Sequence, residues 1–292
     1  MFEGTYTALI TPFHDGLVDE AALRELVREQ VEAGVDGLVP CGSTGESATL
    51  DHAEHERVIS LTIEEAGGRV KVIAGTGSNN TAEAVSLTRF AQDAGADGAL
   101  LISPYYNKPT QEGHIRHYAA VAEAVDIPII LYNIPGRTGV NMSPETIAAI
   151  AARAGVAGLK EAGGSLDHAM RVMQLAGDDF TVLSGDDSLT LPLMSVGAKG
   201  VIAVTANLEP AKMAAMVRAA AAGELEEARR MHRELLPLMQ AMALETNPIP
   251  VKTALAMMGK IHDELRMPLT RMADATRARL AEVLAASGLV AN

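Results

Sequence analysis

Four segments of the chain repeat one pattern, and that repetition constrains the fold more than any other feature. They are Ala33-Gly-Val-Asp-Gly-Leu-Val39, Ala94-Gly-Ala-Asp-Gly-Ala-Leu-Leu-Ile102, Ala154-Gly-Val-Ala-Gly-Leu-Lys160 and Val196-Gly-Ala-Lys-Gly-Val-Ile-Ala-Val204. Each follows a stretch with helical spacing and leads into an apolar run. The first glycine suits the position just past a helix, and the second suits the opening of a strand. The first three segments begin about 60 residues apart, twice the roughly 30 residues of one βαβ unit, so a further strand belongs between each pair.

Apolar runs at 6–10, 37–40, 71–74, 98–102, 128–132, 156–160, 181–183 and 200–204 read as eight strands. Amphipathic stretches at 20–33, 52–66, 82–94, 113–124, 144–152, 166–175, 188–196 and 210–221 read as the helices that alternate with them. Asp51 and Thr81 suit N-caps, and Ser143-Pro144 offers an N-cap followed by proline at the first helical position. Near-continuous apolar strands between helices imply a parallel sheet. Eight such units in 292 residues favour an α/β chain closed into a (β/α)8 TIM barrel over an open doubly wound sheet. No G-x-G-x-x-G follows the first strand, which counts further against a dinucleotide fold. After Gly223 the alternation stops, and 224–243, 251–259 and 273–286 look helical. The chain thus divides into a catalytic barrel, residues 1–223, and a C-terminal helical domain, residues 224–292, packed on it.

A hydrophobic content of 48% supplies apolar material for a large core. The net charge of −13 argues against nucleic acid and anionic membranes as partners, while leaving room for a local basic pocket that takes an anionic metabolite. A single cysteine, Cys41, permits no disulfide framework and points to a reduced compartment. No secretory signal is evident at the N-terminus, and no apolar run approaches the roughly 20 residues of a membrane span. These features lead us to expect a cytoplasmic protein.

In this fold, chemistry sits at the C-terminal ends of the strands. The rim then consists of Cys41-Gly-Ser-Thr-Gly-Glu46, Gly75-Thr-Gly-Ser-Asn79, Ser103-Pro-Tyr-Tyr-Asn107, Tyr132-Asn-Ile-Pro-Gly-Arg-Thr138, Lys160, Ser184-Gly-Asp186 and Ala203-Val-Thr205. Lys160 ends the apolar run of the sixth strand. It is either a solvated strand end or a buried amine, and burial would lower its pKa and make it a nucleophile. Three of the chain's five tyrosines, Tyr105, Tyr106 and Tyr132, lie on this rim, which favours a functional lysine. Gly42-Ser-Thr-Gly45 is either a tight turn or a set of N–H groups and hydroxyls for a small carboxylate; it is not a Walker A sequence. Arg137, after a Pro-Gly turn, offers a bidentate fork for a second carboxylate. A nucleophilic lysine between carboxylate sites suggests Schiff-base chemistry on a 2-oxo acid, an enamine that attacks an aldehyde, and hydroxyls that relay protons. No strand end presents histidine and carboxylate ligands together, which disfavours a metal-dependent aldolase.

At Gly42-Ser-Thr-Gly-Glu-Ser-Ala-Thr-Leu50, Val72-Ile-Ala-Gly-Thr-Gly77, Pro104-Tyr-Tyr-Asn107, Leu131-Tyr-Asn-Ile-Pro-Gly-Arg-Thr-Gly139, Gly158-Leu-Lys-Glu-Ala162, Leu183-Ser-Gly-Asp-Asp187 and Asn247-Pro-Ile-Pro-Val-Lys252 the chain resembles the dihydrodipicolinate synthase family, nearly end to end. The wider group is the pyruvate-dependent class I aldolases that include N-acetylneuraminate lyase. The resemblance implies condensation of pyruvate with L-aspartate 4-semialdehyde in diaminopimelate and lysine biosynthesis. It implies no cofactor or metal beyond a covalent Schiff base of pyruvate on Lys160. Tyr132, Ser43 and Tyr106 match the proton relay, with the tyrosine at 106 reaching the site from a neighbouring subunit of a homotetramer. Thr44 matches the pyruvate carboxylate site, Arg137 the binder of the aldehyde's carboxylate, and Ile202 a backbone that lines the site. Two positions depart from the common pattern: Ser43 stands where threonine is frequent, and Gly136 where serine is. The loop from Gly42 also occurs in neuraminate lyases, so Arg137 carries the distinction from a lyase of sialic acid or 2-keto-3-deoxy sugar acids.

Ser47, Ala48, His52, His55, Asn79, Glu83 and Tyr105 match positions at which feedback-sensitive members bind L-lysine across a dimer interface. By spacing alone His52 and His55 share one helix face and read as a solvated surface pair; a metal pair lacks an evident third ligand. Glu83 could meet the ammonium of a bound amino acid.

Overall fold

The computed structural model describes residues 2–291. Its strands are β1 (Gly4–Ala8), β2 (Gly37–Val39), β3 (Lys71–Gly75), β4 (Gly98–Ile102), β5 (Ile129–Asn133), β6 (Val156–Glu161), β7 (Thr181–Ser184) and β8 (Gly200–Ala203). They pair in parallel in chain order, and β8 closes onto β1. Helices lie between successive strands and after β8, at Glu20–Glu32, His52–Ala66, Thr81–Asp93, Gln111–Ala122, Pro144–Ala151, Leu166–Ala176, Thr190–Ser195 and Pro210–Ala221. The chain is therefore a (β/α)8 TIM barrel. Among the described residues, no helix is long and apolar enough to cross a membrane.

The repeated pattern works as its glycines suggest. Gly34, Gly95 and Gly197 directly follow the last capping residue of a helix and have φ of 80°, 90° and 121°, a region that costs other residues steric strain. The third helix stops earlier, at Ala151, so Gly155 lies beyond that position. The second glycine opens a strand in the first, second and fourth repeats, where neighbours crowd: a Cβ at Gly37 would sit 2.4 Å from the Tyr6 ring. In the third, Gly158 lies inside β6.

Several elements differ from the sequence expectation. The first strand is Gly4–Ala8, not 6–10. Leu9 and Ile10 are apolar and buried, but the Ile10 N–H donates to Asn207 Oδ1 at 3.3 Å instead of extending the strand. A small hairpin, Phe13–His14 paired with Leu17–Val18, was not anticipated, although its Asp15-Gly16 loop, with φ of 52° and 81°, is a favoured two-residue hairpin turn. The helix at Thr81 is capped by Asn80, whose side chain accepts from Ala82 N, and not by Thr81. Asp51 and Ser143 cap as expected, Asp51 within a full capping box with Glu54. The stretch 188–196 splits into a 3₁₀ turn, Asp187–Leu189, and a short helix.

Side chains alternate across each barrel strand. Ile130, Tyr132, Leu183 and Ile202 pack inside the barrel, whereas Ile129, Leu131, Leu159 and Val182 pack outward against the helices. Lys160, between outward-facing Leu159 and Glu161, must face the barrel interior. Helices Leu225–Ala241, Ile249–Met257 and Asp274–Ala286 share one apolar core with the first barrel units: Leu238, Leu255 and Leu280 pack in the same cluster as Leu23, Leu38 and Ile59.

A buried ion pair joins these C-terminal helices to the barrel. Lys252 Nζ lies 2.5 Å from Glu46 Oε1, with side chains 0% and 1% exposed. Lys252 also sits 4.1 Å from the Phe13 ring centre, and Arg266 4.3 Å from the same ring. The Arg266 backbone N–H donates to Glu46 Oε2 at 3.2 Å. Lys252→Met leaves a carboxylate buried without its cation, an expected loss of about 3–5 kcal/mol. Glu46→Gln combined with Lys252→Met removes both charges and should recover most of it. Urea unfolding of the two variants checks this; equal losses would show that the pair is not coupled.

Candidate active site

The register of β5, β6 and β7 sets the centre of the site. Tyr132 pairs with Lys160, and Lys160 pairs with Leu183, so the three stand at one level of the rim. Lys160 Nζ lies 4.4 Å from the centre of the Tyr132 ring. Both residues are 5% exposed. Burial pushes the Tyr132 pKa up to about 12, against the nearby Arg137 charge and the Ser43 side chain, which both favour the ionised hydroxyl. Burial brings Lys160 down to about 8; Asp187 opposes this shift and Arg137 assists it. A strand end that looked open to water is a desolvated amine.

Ser43 sits in a loop fixed at both ends. Cys41 and Glu46 adopt left-handed φ of 55° and 52°. Gly45 N–H donates to Gly42 O at 3.1 Å, and Thr11 Oγ1 donates to Gly45 O at 2.7 Å. Gly75 lets the ends of β2 and β3 meet, since a Cβ there would lie 2.2 Å from the Cys41 carbonyl oxygen. Thr44 is buried, and its Oγ1 accepts from Asn247 Nδ2 at 2.9 Å. Arg137, on the single helical turn Pro135–Thr138, donates to the Asn247 carbonyl at 2.7 Å. Ser43, Tyr132, Arg137 and Asn247 line one cavity of about 300 Å³. Ile202 lies in the barrel interior among Tyr132 and Leu183.

Tyr106 is not brought to this cluster. It is 89% exposed, does not line the cavity, and has φ 71°. Ser47, Ala48 and Tyr105 line the same cavity as Ser43. Beside Tyr105, Asn79 Nδ2 donates to its carbonyl at 3.2 Å, and Glu83 accepts from Ser78 and lies 2.9 Å from His52 Nε2. His55 overturns the reading of a solvated pair: the His52 side chain is 69% exposed, but His55 is 5% exposed, bonded through Nε2 to the Gly75 carbonyl at 2.8 Å. Burial lowers the His55 pKa, so the ring is neutral and acts in the wall behind the cavity.

Three residues were missed. Asp187 is a buried carboxylate accepting from Val204 N at 3.1 Å and Thr205 N at 2.6 Å, and it is the anion that acts on Lys160. Its signal was present: it directly follows the seventh-strand rim run, Ser184-Gly-Asp186. Asn247 entered only as part of a run that resembles the family, with no role given to it, yet it joins Thr44 to Arg137. Gly185 admits the lysine side chain, because a Cβ there would stand 3.0 Å from Lys160 Cε.

A barrel with a desolvated amine beside a cavity lined by hydroxyls and a guanidinium has the parts of a Schiff-base-forming class I aldolase-type enzyme. Comparison with known proteins agrees. Residues 1–287 match the Dihydrodipicolinate synthetase family. A 4-hydroxy-tetrahydrodipicolinate synthase of Syntrophus aciditrophicus is 55% identical over 290 residues, 99% of this chain and 100% of the relative. A dihydrodipicolinate synthase from Acinetobacter baumannii, solved complexed with pyruvate, superposes with a TM-score of 0.97 at 42% identity, covering 99% of this chain and 100% of that one. One from Cyanidioschyzon merolae, solved with lysine bound, gives 0.96 at 39% identity and 99% coverage of both. The chain belongs to the dihydrodipicolinate synthetase family, and it is an enzyme of the class I aldolase type.

The electrostatics of Lys160 can be read directly. Its modification by a small amine-directed acylating reagent, followed by mass spectrometry, should reach half its maximal rate near pH 8. Arg137→Ala removes a like charge and should raise that midpoint; Asp187→Asn removes an anion and should lower it. A midpoint above pH ~10, the ordinary lysine range, would refute the burial argument.

Proposed function

We propose that the enzyme is a 4-hydroxy-tetrahydrodipicolinate synthase that joins pyruvate to L-aspartate 4-semialdehyde. The observation that carries this reading is the buried Lys160 amine, held 4.4 Å from the ring of Tyr132, which lines one cavity with Ser43 and Arg137. The amine adds to C2 of pyruvate, and loss of water gives an iminium. A proton leaves C3 to give the enamine, whose carbon attacks the aldehyde. The resulting alkoxide takes a proton, and the substrate's own amine then attacks the iminium carbon, closing the ring and freeing Lys160. Tyr132 and Ser43 relay these protons with Tyr106 of a neighbouring copy. Thr44 and its loop hold the pyruvate carboxylate, Arg137 the aldehyde's carboxylate, and the backbone at Ile202 lines the site. The reaction uses no metal or cofactor beyond the covalent intermediate.

The exposure of Tyr106 supports a site completed across a subunit interface, and a homotetramer built as a dimer of dimers in the cytoplasm belongs to the same reading. So does feedback by L-lysine at Ser47, Ala48, His52, His55, Asn79, Glu83 and Tyr105, where Glu83 offers a carboxylate to an ammonium. The pyruvate complex and the lysine-bound structure of the two relatives support these choices of ligand.

Borohydride reduction in the presence of pyruvate should leave a single adduct on Lys160, mapped by mass spectrometry. Arg137→Ala should retain this adduct while raising KM for the semialdehyde about 10- to 100-fold, the loss of a charge-assisted bidentate contact. Condensation by the intact enzyme should slow in millimolar L-lysine, and Glu83→Ala should relieve the inhibition. An unlabelled Lys160 would sink the mechanism, and a rate indifferent to lysine would remove the feedback.

Tyr106 has its own test. Lys160→Ala and Tyr106→Phe are each expected to be nearly inactive, but refolding them together should restore activity. A mixed pair then holds one site with an intact lysine and a partner's tyrosine. No recovery in verified mixed oligomers would place the relay within one chain.

A further inference from the structure

Outside the cavity, two parts of the chain 248 residues apart bring three metal-ligating side chains together. His14 lies in the small hairpin after β1, Asp19 directly follows it, and His262 follows the helix Ile249–Met257. One ligand atom from each, two imidazole nitrogens and a carboxylate oxygen, lies within 4.8 Å of the others. The two imidazole rings stack with centres 3.9 Å apart and planes 4° from parallel. None of the three lines the catalytic cavity. We propose that His14, Asp19 and His262 bind a borderline divalent transition-metal ion, Zn2+ being the type case.

The placement is built by the surrounding backbone. His14 is held in the hairpin by its pairing with Leu17. The hairpin is fixed to the C-terminal segment from both sides of Gly16: its N–H donates to Glu264 Oε1 at 2.7 Å, and its carbonyl accepts from Arg266 Nη2 at 2.7 Å. Asp19 is oriented by capping the helix Glu20–Glu32, where Oδ1 accepts from Ala22 N at 3.0 Å. Oδ2 is left for a second partner. Asp15 Oδ2, 3.7 Å from His14 Nε2, adds a further oxygen at the edge.

The donor set selects the ion. Two imidazoles with one carboxylate suit Zn2+, Ni2+, Co2+ or Cu2+, whereas Mg2+ and Ca2+ seek oxygen ligands. Coordination at about 2.0–2.2 Å requires the imidazoles to rotate out of their stack so that one nitrogen of each converges with the carboxylate. His14 has the freedom to do so, its side chain being 52% exposed. The three ligands leave coordination positions for water, and the ion would staple the hairpin to residues 260–269. That segment also supplies Pro268 and Leu269 to the cavity wall. Metal binding would therefore stiffen one wall of the active site without entering its chemistry.

The full-length protein, stripped with EDTA and dialysed, tests this by calorimetric titration with Zn2+ and by thermal unfolding. One Zn2+ per chain is expected, with a rise in Tm that grows with free metal. His14→Ala and His262→Ala should each weaken binding by roughly 10-fold or more. Asp19→Ser should do the same while keeping an N-capping hydroxyl, so its loss is not a helix effect. His52→Ala, on an unrelated surface, should leave the affinity unchanged. The proposal is overturned if the wild-type protein binds no Zn2+, if His14→Ala and His262→Ala bind it as well as wild type, or if Mg2+ competes on equal terms. Binding without a rise in Tm would overturn the staple.

Discussion

The active site depends on the cost of taking one ammonium out of water. Lys160 lies on the inner face of a closed parallel barrel, where its strand neighbours Tyr132 and Leu183 exclude solvent and leave it 5% exposed. A charge in that position is disfavoured, so the amine gives up its proton at about pH 8 and is available as a nucleophile near neutrality. Two fixed charges trim the effect in opposite directions. Arg137 pushes the proton off, while Asp187 favours the cationic form. Asp187 is thus suited to a cationic iminium as well as to an ammonium, whereas burial alone would oppose both.

Strand alternation gives the outer layer a different task. Because Tyr132 and Lys160 face inward, Asn133 and Glu161 face outward, directly paired in register. Glu161 is 2% exposed and accepts from Asn133 Nδ2 at 3.2 Å and Gly163 N at 2.6 Å, while His168 Nδ1 lies 3.3 Å away. His168 in turn reaches the Met142 carbonyl through Nε2 at 2.9 Å, and Met142 N donates to Asn133 Oδ1 at 3.2 Å. This ring of polar contacts locks the two strand ends that carry the amine and the tyrosine. The carboxylate beside His168 also raises that imidazole's pKa, so protonation of the ring reinforces the network. Rigidity at Lys160 and Tyr132 is therefore supplied from the opposite face of the sheet.

Much of this was legible because it follows from periodicity. Counting strands places Lys160 on the rim, and a period of two turns it inward. The glycines of three of the four repeats mark helix ends and strand starts for reasons of backbone sterics. What was not legible depends on partners distant in the chain. Leu9 and Ile10 look like strand, but the last bond to β2 is Leu9 N–H to the Val39 carbonyl, and the Ile10 N–H turns to the Asn207 side chain. Thr81 looks like a cap, yet Asn80 reaches the free N–H first. His55 shares a helix face with His52, but the carbonyl of Gly75, from another strand, draws it into the wall. Tyr106 stands past the end of β4 with a left-handed backbone, where strand periodicity no longer says which way a side chain goes. Asp187 needed the positions of two amide N–H groups at the end of β8 before its meaning was clear.

The helices after the barrel bear on specificity for the same reason. Asn247 lies 203 residues from Thr44 and 110 from Arg137, yet it donates to one and accepts from the other. If Thr44 holds one carboxylate and Arg137 a second, their separation is set by a residue outside the barrel. The Gly42–Glu46 loop that carries Thr44 is fixed from the same direction by Lys252, through the buried bond to Glu46. Gly136 frees the backbone next to Arg137, so the contact with Asn247 does more of the work of placing that guanidinium than the loop's own sequence can. A barrel rim alone would present the lysine and the hydroxyls. It is the C-terminal segment, reaching back over that rim through Asn247, that fixes the distance between Thr44 and Arg137.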